Sequence, residues 1–128
     1  MHVEAQRLVA HAARDLDAAR EMLEQEDFEH VCSFCRNALE KLLRAAILRR
    51  SPGTSSKSHN LVPLAALAGL SVPKREFMDL FDQLGRFGGT PAPDNLPVEP
   101  FAVPDREGAT RILKQSVDCY RWLSEVIG

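Results

Sequence analysis

Between Phe28 and Arg50 the chain reads FEHVCSFCRNALEKLLRAAILRR. Apolar residues fall at Phe28, Val31, Cys35, Ala38, Leu42 and Ala45, in steps of three and four, which is one face of a helix. A second row, Cys32, Leu39, Leu43, Ala46 and Ile47, widens that face to well over half the circumference. A helix apolar on two sides needs neighbours on both, so this segment belongs at the centre of a helical bundle. What remains polar is a strip of Arg36, Glu40, Lys41 and Arg44. Glu40 lies four residues from each arginine and can bridge either along the surface.

The flanking segments supply the neighbours. Over residues 3–25, Ala5, Val9, Ala12, Leu16, Ala19 and Leu23 alternate steps of four and three, a close-packing seam in which three of six positions are alanine. Glu24 to Asp27 is too polar for a core and makes a short turn, which predicts an antiparallel hairpin. Ser51-Pro52-Gly53 stops the central helix, and Thr54 to Ser58 is polar. Asn60 reads as the N-cap of a short helix carrying Leu61, Leu64, Ala65 and Leu67, with Pro63 tolerated in its first turn and Gly69 at its end. Ser71-Val72-Pro73 opens the next helix, with Phe77, Leu80, Phe81 and Leu84 on one face and Gly85 at its close.

Phe87 to Pro104 holds five prolines and two glycines in eighteen residues and has no period. It is either an extended strap packed by Leu96, Val98 and Phe101 or a loop lining a site, and both can hold. Asp105 then caps a last helix whose inward stripe is Ala109, Ile112, Ser116, Tyr120, Leu123 and Ile127, with Leu113, Val117 and Cys119 beside it and Trp122 at its half-exposed edge. No stretch alternates as a strand does. The expectation is an all-α fold in one domain over 1–128: an antiparallel up-down bundle of four main helices, one short helix and a long Pro-rich loop.

Charge and motif content narrow the function. Sixteen basic against eighteen acidic residues give a net charge of −2, which excludes nucleic-acid binding through bulk charge but leaves room for a local basic groove. No apolar run approaches the roughly eighteen residues of a membrane span, and the N-terminal stretch lacks an apolar signal-peptide core, so a cytoplasmic protein is expected. An odd cysteine count fits a reducing compartment. Cys32 and Cys35 form a CxxC inside a helix, where no strand end lowers a thiol pKa and no second ligand pair completes a zinc site, so they read as core residues. There is no phosphate-binding glycine loop, nucleophile elbow or HExxH, and no cofactor or metal is expected.

Three segments carry a resemblance. Phe34-Cys35-Arg36-Asn37-Ala38-Leu39-Glu40-Lys41-Leu42-Leu43-Arg44-Ala45 looks like the glutamate-lysine helix of the HEPN domain family (higher eukaryotes and prokaryotes nucleotide-binding). Ser58-His59-Asn60-Leu61 is similar to that family's T-H-D-L segment, and Gly85-Arg86-Phe87 stands where it has A-R-Y-P. The resemblance covers nearly the whole chain in order and spacing. It implies a bundle of four main helices, a homodimer, and frequent pairing with a minimal nucleotidyltransferase in a toxin–antitoxin context. It also implies that many relatives cut RNA without metal, using an arginine followed five to seven positions later by a histidine. The chain departs from that motif: none of His2, His11, His30 and His59 has such an arginine, and after Arg86 the positions hold Pro91, Ala92 and Pro93.

Three readings follow. The leading one is a non-catalytic HEPN-type domain that binds a nucleotide or RNA, or a partner such as a minimal nucleotidyltransferase. A metal-independent RNA-cleaving toxin with a rearranged site is the second, and a structural homodimeric interaction module the third. The polar groups to examine are Arg86, Lys41, Arg44 and His59. Each also has a plain structural reading: Arg86 as a helix-terminal cation facing the dipole, Lys41 and Arg44 as a solvated stripe, and His59 as a loop closure. Arg49 and Arg50 complement the dipole at the end of the central helix.

Overall fold

The computed structural model describes residues 3–51, 60–86 and 102–128, and among them there is no strand. Five helices follow in order: α1 (Val3–Glu24), α2 (Phe28–Arg50), α3 (Leu61–Leu67), α4 (Arg75–Gly85) and α5 (Arg106–Ile127). His59 and residues 87–101, with Leu96, Val98 and Phe101, lie outside the described residues.

The turn between α1 and α2 is built from backbone hydrogen bonds. Asp27 N–H donates to the Met22 carbonyl at 2.9 Å and Glu26 N–H to the Leu23 carbonyl at 3.1 Å, the two bonds of a Schellman end. That motif needs a left-handed residue, and Glu26 supplies it with φ 60°. Asp27 then caps the next helix, its carboxylate accepting from His30 N–H at 3.3 Å and from His30 Nδ1 at 2.7 Å. With three residues between the helices, α2 runs back along α1.

No residue of α2 from Val31 to Leu48 is exposed. Both apolar rows are used: Val31, Cys35, Ala38, Leu42 and Ala45 on one, and Cys32, Leu39, Leu43, Ala46 and Ile47 on the other, are buried. Among the described residues α2 alone packs against all four other helices. The doubly apolar segment is therefore the core of the bundle. Toward α1 it meets Ala5, Ala12, Leu16 and Ala19, with Val9 and Leu23 half-buried at the edges of that seam.

Contacts at both ends give the sense of α5. Arg106 pairs with Glu26 beside the start of α2, and the Arg49 guanidinium donates to the Val126 carbonyl beside its end. The two helices thus run in the same sense, opposite to α1. Asp105 caps α5 by accepting from Gly108 N–H at 2.8 Å. Its buried stripe is Ala109, Ile112, Leu113, Ser116, Cys119, Leu123 and Ile127, with Tyr120 only half-buried. Cys119 thus takes the inward place that periodicity assigned to Tyr120. Ser116 is the one fully buried polar side chain among the described residues and lies by the Cys35 thiol.

The smaller helices close the remaining side. Asn60 caps α3, its side chain accepting from Val62 N–H at 3.4 Å. Gly69, with φ 68°, ends α3 in a second Schellman arrangement, Gly69 N–H to Ala66 and Leu70 N–H to Ala65. The fourth helix starts later than Ser71-Val72-Pro73 suggested. Pro73 disfavours a helical Val72, Lys74 is extended (φ −130°, ψ 133°), and α4 opens only at Arg75 with no side-chain cap. Phe77, Leu80, Phe81 and Leu84 face inward. Phe77 stacks on Trp122 with ring centroids 5.6 Å apart and planes 15° from parallel, which fastens α4 to α5.

Candidate functional site

The polar strip of α2 is half-buried and internally paired. Glu40 Oε1 stands 3.6 Å from Arg36 Nη2 and 4.0 Å from Arg44 Nη2, so one carboxylate serves the arginine a turn before it and the arginine a turn after it. Lys41, one position on, points toward α1 and meets Asp15: Nζ lies 2.6 Å from Oδ2 in a part-buried pair. All four side chains are more than half buried. Lys41 and Arg44 are therefore not a solvated stripe but part of the contact between α2 and its surroundings.

Arg86 has a different environment. It is the C-cap residue of α4, exposed, and its guanidinium reaches back to Asp82 one turn earlier at 3.2 Å. The aspartate is as exposed as the arginine, so the pair holds neither side chain firmly. The residue before it, Gly85, comes close to the start of α3. A Cβ built on Gly85 would lie 2.6 Å from Asn60 Oδ1, so only a glycine lets the capping side chain of Asn60 sit against the last turn of α4. The residue after His59 thus touches the residue before Arg86.

Two neighbours of these residues are not marked in the sequence as such. Asp15 holds Lys41 from twenty-six positions away, and no local pattern on α1 marks it, since it is a polar residue beside the seam leucine Leu16. In sequence Asn60 reads as a cap; the signal for its approach to Gly85 is the glycine itself, an expensive residue in the last turn of a helix. Asn37 is half-buried, and Arg49 binds a backbone carbonyl of α5 as well as standing at the helix end.

The CxxC cysteines are core residues. Cys32, Cys35 and Cys119 are free and buried. Burial pushes the Cys32 thiol up to about 11 and those of Cys35 and Cys119 up to about 12. Protonated, enclosed thiols are poor nucleophiles and poor ligands. Among the described residues no group of histidine, cysteine and carboxylate side chains has a metal-binding arrangement, and no helix is long and apolar enough to cross a membrane.

A family model described as the HEPN domain matches residues 5–126, from the first turn of α1 to the last turn of α5. The chain belongs to the HEPN family. Among solved structures, the crystal structure of an archaeal HEPN homologue matches with a TM-score of 0.75 at 16% identity, covering 99% of this chain and 100% of that one. A likeness at that identity speaks to the HEPN fold. A comparison with curated proteins finds no match. In this HEPN domain the glutamate-lysine helix is the central α2, and the two other family-like segments, around Asn60 and around Arg86, converge where α3 begins and α4 ends.

Proposed function

We propose that this HEPN domain works by binding, with the junction of α3 and α4 as its contact point. The observation that carries the reading is that convergence: two segments separated in sequence and similar to HEPN motifs meet at Asn60 and Gly85, with Arg86 exposed beside them. An exposed Arg86–Asp82 pair is weak, so a phosphate can replace the carboxylate and take up the bidentate geometry that guanidinium favours. Lys41 and Arg44 act here as holding groups, since Asp15 and Glu40 already engage them in half-buried pairs. His59, adjoining Asn60 in the chain, completes the set of side chains assigned to this contact.

The chemistry of the chain favours binding over cleavage. Metal-independent cleavage of RNA needs a group to move the 2′-hydroxyl proton and a cation for the developing charge. No histidine of the sequence stands at the family's spacing from an arginine. The ligand is a nucleotide or a protein partner such as a minimal nucleotidyltransferase, in a toxin–antitoxin-like and cytoplasmic setting, and the acting form is a homodimer.

Three measurements on the wild type and Arg86→Ala test this. Titration with ATP should raise Tm in the wild type, as linkage requires of a ligand that favours the folded state, and the variant should lose that gain. Co-expression with a minimal nucleotidyltransferase should give a stable complex that Arg86→Ala weakens. Cleavage of RNA by the wild type, abolished in a folded Arg86→Ala variant, would overturn the proposal in favour of a nuclease with a rearranged site. No ATP effect and no complex would leave only a structural module.

A further inference from the structure

Among the described residues, the two ends of the bundle carry opposite charge. At one end α2 and α5 finish together: Arg49 donates to the Val126 carbonyl, and Gly128 lies beside the same guanidinium. α1 begins there, since it runs against α2, and so does α4, whose Phe77 stacks on Trp122 near the close of α5. This end has Arg7, Arg49, Arg50, Lys74, Arg75 and Arg121, all exposed, against Glu4, Glu76 and Glu125. At the other end α1 turns into α2 and α5 starts, with Arg106 on Glu26. Here Glu21, Glu24, Glu26, Glu29, Asp105 and Glu107 are exposed, and Arg20, Arg106 and Arg111 are each held by a carboxylate of the same chain.

Helix dipoles do not account for this division. A dipole favours acids where a helix begins and bases where it finishes. Yet α1 closes with Glu21 and Glu24 and has no base in its last turn, and α4 opens on Lys74 and Arg75. Both helices carry the charge of the end at which they stand, against the preference of their own dipoles. Exposed aliphatic side chains accompany the charges. Val3 and Val126, with Leu67 two residues before the contact of Gly69 with Arg50, are 63%, 41% and 44% exposed at the basic end. Val103, two residues before Asp105, is 53% exposed at the acidic one. Each end thus offers what the other lacks. Basic against basic repels, as does acidic against acidic, so copies can meet only by unlike ends, which is a heterologous contact. Helices about 10 Å apart make each end roughly 500 Å², so a contact buries about 1,000 Å², the lower limit for specific association. It is weak, and salt screens it.

We infer that this chain associates head to tail, the basic end of one copy seated on the acidic end of the next, in an open row or a ring. The contact shares no residue with the α3–α4 junction and does not depend on it. It also differs in kind from the pairing of a homodimer, in which both copies use the same surface.

Sedimentation velocity over a concentration series, at about 50 mM and about 500 mM salt, tests this. The wild type should grow in size with concentration at low salt and return to one size at high salt. Arg75→Glu/Arg121→Glu makes the basic end acidic, and Glu24→Lys/Glu29→Lys makes the acidic end basic, all at exposed positions. Each variant should keep the wild-type circular dichroism and, alone, stay at the high-salt size. An equimolar mixture of the two should grow again, since unlike ends meet once more. The gentler Arg75→Ala/Arg121→Ala should need about tenfold more protein for the same growth. Wild type of one size at every concentration and both salts overturns the inference. So do reversal variants that grow alone as the wild type does, or folded variants whose mixture does not. Wild type that stays at one size yet sediments with phosphatidylserine vesicles at low salt gives the basic end to a lipid surface, and also overturns it. Since Arg86→Ala should leave the association intact, failure here and failure at the α3–α4 junction are separable.

Discussion

Lys41→Met probes how α2 is held to α1. Lys41 Nζ stands 2.6 Å from Asp15 Oδ2, with the lysine side chain 31% and the aspartate 15% exposed. Exposed pairs are worth about 0.2–1 kcal/mol, whereas breaking a buried pair costs about 3–5 kcal/mol. This pair lies between the two limits, and its members are unequal. Removing the lysine strands a carboxylate with little access to water. Removing the aspartate leaves an ammonium on a flexible stem that can turn outward. Lys41→Met should therefore cost about 2 kcal/mol and Asp15→Asn about 1 kcal/mol. The double variant should cost less than the two together by about 1 kcal/mol, the coupling of the pair. Urea unfolding followed by far-UV circular dichroism reads these differences, with unchanged m values confirming a common transition. Each kcal/mol should also appear as about 4 °C in Tm for a chain of this size. Equal costs for the two single variants, or a coupling below about 0.3 kcal/mol, would refute the reasoning. The pair would then be an ordinary surface contact, and Lys41 would return to the set of residues available to a ligand.

Other consequences can be checked on the same preparation. Gly69→Ala forces a side chain into φ 68° and should lower stability by about 1–2 kcal/mol, read by the same urea titration. Phe77→Ala removes the ring stacked on Trp122; it should cost about 3 kcal/mol and shift the tryptophan emission to the red. A thiol reagent at neutral pH should find no reactive cysteine in the native protein and three after unfolding. Burial holds the three thiols at about 11 to 12, above the 9.0 of an open cysteine. The folded state thus keeps protons that the unfolded chain releases, and the contribution present below pH 9 should fade as pH rises toward 12. The opposite sign holds at the acid end. The hydrogen bond from His30 keeps the Asp27 carboxyl below its ordinary 3.8, so its stabilisation is present above that value and lost as pH falls below it. Asp27→Ala should lower Tm at neutral pH and shrink this acid loss, both visible in thermal melts across pH.

Local chemistry alone determined much of this fold. Spacing by three and four placed both buried rows of α2 and the seam of α1, because a helix repeats every 3.6 residues whatever surrounds it. Asn60 and Asp105 were recognisable as caps because a short side-chain acceptor satisfies backbone N–H groups within its own turn. The Glu40 bridge to Arg36 and Arg44 was likewise legible, being contained in one helix. Tertiary structure decided what depends on the register between helices. It chose Asp15 as the partner of Lys41, set Asn60 against Gly85 at the side of Arg86, and turned Cys119 inward in place of Tyr120. Periodicity fixes the angle of a residue on its own helix but carries no information on which residue of another helix lies opposite. That choice is made by side-chain volume and charge meeting across the bundle, between positions the chain itself keeps far apart.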